Sequence, residues 1–217
     1  MKLAITQTSN HPHYLKIGYC FSAVCLFQLL LVHFELKTLY ASELYELSDG
    51  GETGIFNGFT AVMKWSFVLF PFYLFLKFVI ICLIIESGFS YHGLKSKVSF
   101  STLFLGVIIA YPLLLAPQCF KLIYFHWMVP TDYLRSHYAH FAPLSMVAFF
   151  TDRLLEQGTW YLLQSVNLFD LGYPFVIALV IKKMAPQTGD HTAAIVYAYY
   201  LAYFCWMLFT YLLQQSI

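Results

Sequence analysis

Five apolar runs, at residues 17–34, 65–85, 98–125, 165–181 and 193–213, set what this 217-residue chain can fold into. Each approaches or exceeds the roughly 20 residues that a helix needs to cross about 30 Å of hydrocarbon. Inside a bilayer the backbone must satisfy its own N–H and C=O groups, so such runs fold as helices packed on one another. The sequence therefore predicts an all-α polytopic bundle, with residues 1–217 forming a single integral membrane domain. Any activity has to be built between helices or on short loops.

Composition narrows the partners. Hydrophobic residues make up 60% of the chain and charged residues 11%, far from the soluble average. A formal net charge of +1 excludes a nucleic-acid partner of the usual basic-faced kind. The expected partners are the lipid bilayer and other membrane protein subunits. Five cysteines (Cys20, Cys25, Cys82, Cys119, Cys205) lie in or beside apolar runs without CxxC spacing, and read as small core hydrophobes. The first run is preceded by sixteen mostly polar residues and lacks a good cleavage site, so it reads as a retained signal anchor.

Basic residues orient the bundle by density. The short turns 88–97 and 182–191 carry Lys95, Lys97, Lys182 and Lys183 and read as cytoplasmic. The segment 35–64 holds Glu35, Glu43, Glu46, Asp49 and Glu52 and reads as an external loop, with a turn cluster at 48–54 and a short surface helix before it. The expected topology is N-terminus in, C-terminus out. The mixed stretch 146–163, where Asp152, Arg153 and Glu156 interrupt apolar residues, is expected to form an interfacial amphipathic helix between spans three and four.

Some residues break the apolar pattern. Pro112 and Pro117 predict a kink in the third run. Gly106 and Ala110 in that run, and Ala194, Ala198 and Ala202 in the fifth, recur every four residues and let backbones approach closely, within the bundle or against a partner subunit. Lys77, near the middle of the second run, costs about 2.5–3.5 kcal/mol on insertion scales unless it snorkels or pairs. Asp170 in the fourth run could neutralise it, although the topology puts Asp170 nearer the outer face. Glu86 ends the second run. These three are the intramembrane polar candidates.

Catalytic signatures are missing. Among eight histidines, His137 and His140 are three apart with His126 and Asp132 upstream, but zinc-ligand spacing is absent. No G-x-S-x-G, Walker-type loop or paired-aspartate motif occurs. The expectation is a non-enzymatic protein with no metal and no cofactor.

In the C-terminal half, Ala142-Pro143-Leu144-Ser145, followed by Ser165-Val166-Asn167-Leu168-Phe169-Asp170-Leu171, resembles the Yip-type (Rab-interacting protein) family of five-span membrane proteins. The stretch 88–112, with Gly93, Lys95, Ser96 and Phe100, is similar as well. The pattern departs where the family carries a tryptophan after the aspartate, since Leu171-Gly172-Tyr173 stands here. The resemblance implies five helices with a cytoplasmic N-terminus. With some sixteen residues before the first span there is no long N-terminal region for binding a small GTPase, which points to the bacterial branch and an inner membrane. The function expected is that of an accessory or scaffold subunit. A small transporter using Lys77, Asp170 and Glu86 is the alternative, and an interfacial enzyme built on the histidine cluster is a third.

Overall fold

The computed structural model describes residues 11–49, 53–92, 98–128, 141, 143–149, 163–164, 166–186 and 191–215. Six helices account for nearly all of them: α1 (His11–Asp49), α2 (Thr53–Tyr91), α3 (Phe100–Ala110), α4 (Pro112–Met128), α5 (Leu168–Met184) and α6 (Thr192–Gln215). A 3-10 turn at Met146–Phe149 precedes α5. Among the described residues the fold is all-α, and its extended backbone pairing is an isolated bridge between Ser145 and Asn167.

Among the described residues, four helical stretches are long and apolar enough to cross a membrane: Tyr14–Glu35, Phe67–Tyr91, Phe100–Trp127 and Thr192–Leu213. They correspond to runs one, two, three and five, and are what a multi-pass membrane protein requires. The fourth run is helical from Leu168, but α5 has 17 residues and is shorter than the other spans.

The short surface helix expected between the first two runs is not separate from the first span. Helix α1 continues to Asp49 and α2 begins at Thr53. Residues 36–47 contain no Gly or Pro and hold four Leu and two Glu, which favour helix over turn. Both helices therefore run past their apolar windows toward one end of the bundle, here termed the hairpin end. Of the expected interfacial helix, residues 150–162 lie outside the described residues. The described 3-10 turn buries Val147.

The third run is broken at Tyr111. Pro112 has no N–H to give to Ile108, and it opens α4 at the first helical position, where none is needed. The Tyr111 N–H is shared between the carbonyls of Val107 (3.1 Å) and Ile108 (3.2 Å), so the span bends without leaving the Ile108 carbonyl bare.

The core is one seam. Leu74, Phe78, Cys82, Ile85 and Phe89 fall on one face of α2 and are all buried. Facing them are Leu103, Val107 and Ile108 of α3, Tyr173, Ile177 and Ile181 of α5, and Ile195 of α6. Helix α1 contributes a narrower stripe of Val24, Cys25, Gln28 and Leu31. The other faces carry Leu, Phe, Tyr and Trp outward, as lipid contact requires.

The small-residue ridges are used inside the bundle. A Cβ on Gly88 would stand 2.4 Å from the Ala198 Cβ and 2.9 Å from the Ala194 carbonyl oxygen, so α2 and α6 touch at backbone distance. A Cβ on Gly106 would meet Ile181 Cγ1 at 3.0 Å, where α3 packs on α5. Ala110, Ala194 and Ala198 are buried, while Ala202 is half-buried farther along α6.

Candidate functional site

The site forms where α5 begins. Antiparallel packing places Phe169 beside Phe120 of α4, with ring centroids 6.0 Å apart. Phe120 lies eight residues before α4 ends at Met128, so α5 starts about 12 Å short of that helix end. A helix that starts inside an apolar zone must find partners there for its first N–H groups.

Two devices supply them. The Leu168 N–H donates to the Leu144 carbonyl at 3.1 Å, and the Met146 N–H returns a bond to Val166 at 2.9 Å. Leu144 adopts φ 58° to aim that carbonyl, a conformation that costs a non-glycine residue about 1–2 kcal/mol. Asn167 is the N-cap, and its side-chain oxygen accepts from the Asp170 N–H at 2.8 Å. The Asn167 amide in turn donates to the Asp170 carboxylate. The two side chains brace one another, and the carboxylate is set against the positive end of the helix.

Starting α5 at this depth brings Asp170 within electrostatic reach of Lys77. That removes the mismatch expected from an Asp170 near the outer face. Lys77 stands with its ammonium 5.1 Å from the centroid of the Tyr111 ring, at the proline break. Cation–π contact of this kind contributes about 0.5–2 kcal/mol. Both charged residues are half-buried. Lys77 is therefore held by an aromatic face and by an opposite charge nearby.

Tyrosines close the site from α5 and α6. Tyr199 and Tyr203 stack at 6.2 Å and lie within electrostatic reach of Asp170. The Tyr173 ring meets Tyr199 edge-on at 5.5 Å, and its buried hydroxyl donates to the Val107 carbonyl at 3.1 Å. Tyr200 donates to the Leu171 carbonyl at 2.5 Å. The result is one cation and one anion between α2, the α3–α4 bend, α5 and α6, bounded by phenol rings.

Of the three intramembrane candidates, Lys77 and Asp170 come together and Glu86 does not. Glu86 is exposed two and a half turns farther along α2. His126 is exposed on α4, whereas His137, His140 and Asp132 lie outside the described residues. Among the described residues, no three His, Cys, Asp or Glu side chains gather as metal ligands.

A second polar set was missed in the sequence. Gln28 of α1 donates to the Gln118 side-chain oxygen at 3.1 Å, and Gln118 donates to the Glu35 carboxylate at 2.7 Å. Lys121 adds a positive charge near Glu35. The available signal was a lone glutamine in each of two apolar runs, since amides at such positions recur where membrane helices bond to one another. Asn167, three residues before Asp170, was likewise readable as a cap.

No protein-family model matches the chain, and comparison with curated proteins and with solved structures finds no match.

Proposed function

We propose that this chain is a non-enzymatic, five-span integral membrane protein that serves as an accessory or scaffold subunit of a larger membrane assembly. In this reading α5 is the fourth of five spans, 146–163 lies at the interface between spans three and four, and the protein sits in a bacterial inner membrane as a Yip-type relative, N-terminus cytoplasmic. The observation that carries it is how the polar groups of the bundle are engaged. Asp170 and Asn167 cap α5, Tyr173 and Tyr200 bond backbone carbonyls, and Lys77 rests on Tyr111. The tyrosine bonds and the Lys77 contact tie neighbouring helices in register, the role best attested for buried polar groups, and the Asn167–Asp170 cap fixes where α5 begins. Mild-detergent purification should recover the chain with a defined partner at constant stoichiometry. Repeated recovery as a lone monomer overturns the proposal.

One observation favours a second reading, a small transporter or channel. A charge pair beside a proline break, against a helix that begins at depth, is an arrangement that ion- and proton-coupled carriers use. In reconstituted liposomes Lys77→Ala should then abolish solute or proton flux. Flux equal to wild type, with the folded state intact, removes Lys77 from a transport site.

A further inference from the structure

Between α1 and α4 a cavity of about 370 Å³ opens on the surface of the bundle. Its walls are Phe27, Leu31 and Phe34 of α1 and Leu122, Ile123 and Trp127 of α4. Each lies within a stretch apolar and long enough to span the membrane. The two helices run parallel here, so the groove follows them from the level of Phe27 to the end of the α1 span at Glu35. Its volume falls in the range of about 300–1,000 Å³ common to ligand sites.

The groove is held open by bonds. Gln28, Gln118 and Glu35 link the same turns of the same helices, at 3.1 and 2.7 Å. An ionised carboxylate only accepts, so Glu35 fixes Gln118 with its amide nitrogen toward it. The Gln118 oxygen then takes the Gln28 amide, which leaves the buried Gln28 oxygen without a hydrogen-bond partner. Sliding α1 toward α4 to fill the groove would break this ladder in a medium with no water to replace it. A groove open to the surface between two stretches long enough to span is filled by what surrounds it, which at this level is lipid hydrocarbon.

Position defines the occupant. At this depth the surrounding medium is hydrocarbon, and the walls are aliphatic and aromatic. At the hairpin end the character changes: Trp127 is 81% exposed and His126 lines the mouth. Indole rings favour the level of lipid headgroups. We propose that the α1–α4 groove is a binding site for one acyl chain of a membrane phospholipid, whose headgroup lies against His126 and Trp127. The proposal stands apart from the scaffold reading, because either outcome of a partner search leaves it untouched.

The full chain, placed in nanodiscs of phosphatidylethanolamine and phosphatidylglycerol doped with a phospholipid carrying an acyl-chain diazirine, is irradiated and its peptides mapped. Labelling should concentrate on 27–34 and 119–127. In Ile123→Trp, which fills the groove, labelling there should fall about tenfold, the factor that about 1.4 kcal/mol of lost affinity produces. Labelling of the lipid-exposed 204–213 stretch of α6 should not change. Native mass spectrometry gives a reading independent of any variant: one phospholipid should survive detergent washing per chain. Equal labelling of the α1–α4 and α6 regions, meaning annular lipid only, overturns the proposal. So does a groove protected from label in a chain that runs as a dimer, because a second copy then occupies it.

Discussion

Where α2 meets α6 the backbones touch through Gly88, Ala194 and Ala198, whereas α1 meets α4 through Gln28, Gln118 and Glu35 and leaves an apolar groove alongside. The first seam is dry and steric: it works because nothing larger than a methyl group is present. The second is directional and depends on donors meeting acceptors. Lipid tails are as apolar as leucine, so neither seam draws on a hydrophobic driving force, and close packing or hydrogen bonding must replace it. The bundle uses one device on each flank of its core.

The difference can be broken from either side. Gly88→Leu should have the largest effect. Its Cβ would sit 2.4 Å from that of Ala198, a separation that only moving the helices apart can relieve. We expect destabilisation of more than about 3 kcal/mol, at the upper end of overpacking costs, read as loss of monodisperse protein in detergent. If Gly88→Leu melts at the wild-type temperature, the α2–α6 seam is not tight.

Removing a charge from the space between the seams comes next. Lys77→Met leaves Asp170 without its cation and should cost about 2 kcal/mol, less than fully buried pairs lose. The double variant Lys77→Met with Asp170→Asn should recover part of that, since Asn keeps a side-chain acceptor near Asn167. Thermal melts of the wild type, the two single variants Lys77→Met and Asp170→Asn, and the double variant give the coupling energy, and purely additive losses would mean that the two charges do not communicate.

Gln118→Leu tests the polar seam and should be milder. Hydrogen bonds between membrane helices average about 0.6 kcal/mol and reach about 1.7, because the separated helices find other partners. A shift as large as that of Gly88→Leu would abolish the distinction between the seams. Gly18→Leu should have the smallest effect, within about 0.5 kcal/mol, because no atom lies within 4 Å of its added Cβ. It separates close approach from mere glycine content.

Much of this was legible in the chain. The helical class, four of the spans and the bend at Pro112 follow from run length and proline chemistry. The spacing of Ala194 and Ala198 announced a close contact, but not that Gly88 would be its partner, since spacing describes one surface and not its complement. Lys77 and Asp170 were visible as costly residues. Their meeting was not, because depth was judged from position along the run, and α5 starts about 12 Å inside the end of α4. The short helix expected around residues 39–47 is present, but its continuity with the first span was not legible, because acids that end an apolar window do not by themselves end a helix.

The buried start of α5 also bears on how the protein is made. A translocating ribosome presents segments to the membrane in turn, and insertion favours long apolar windows. Helix α5 has 17 residues, with Asp170 near its start and Lys182 and Lys183 near its end. Its first N–H groups are satisfied by Leu144 and Asn167, and the Asp170 carboxylate by the Asn167 amide and the nearby charge of Lys77. Alone in lipid it would be a poor span. In the proposed five-span arrangement its place in the bilayer would depend on helices synthesised before and after it, α6 among them.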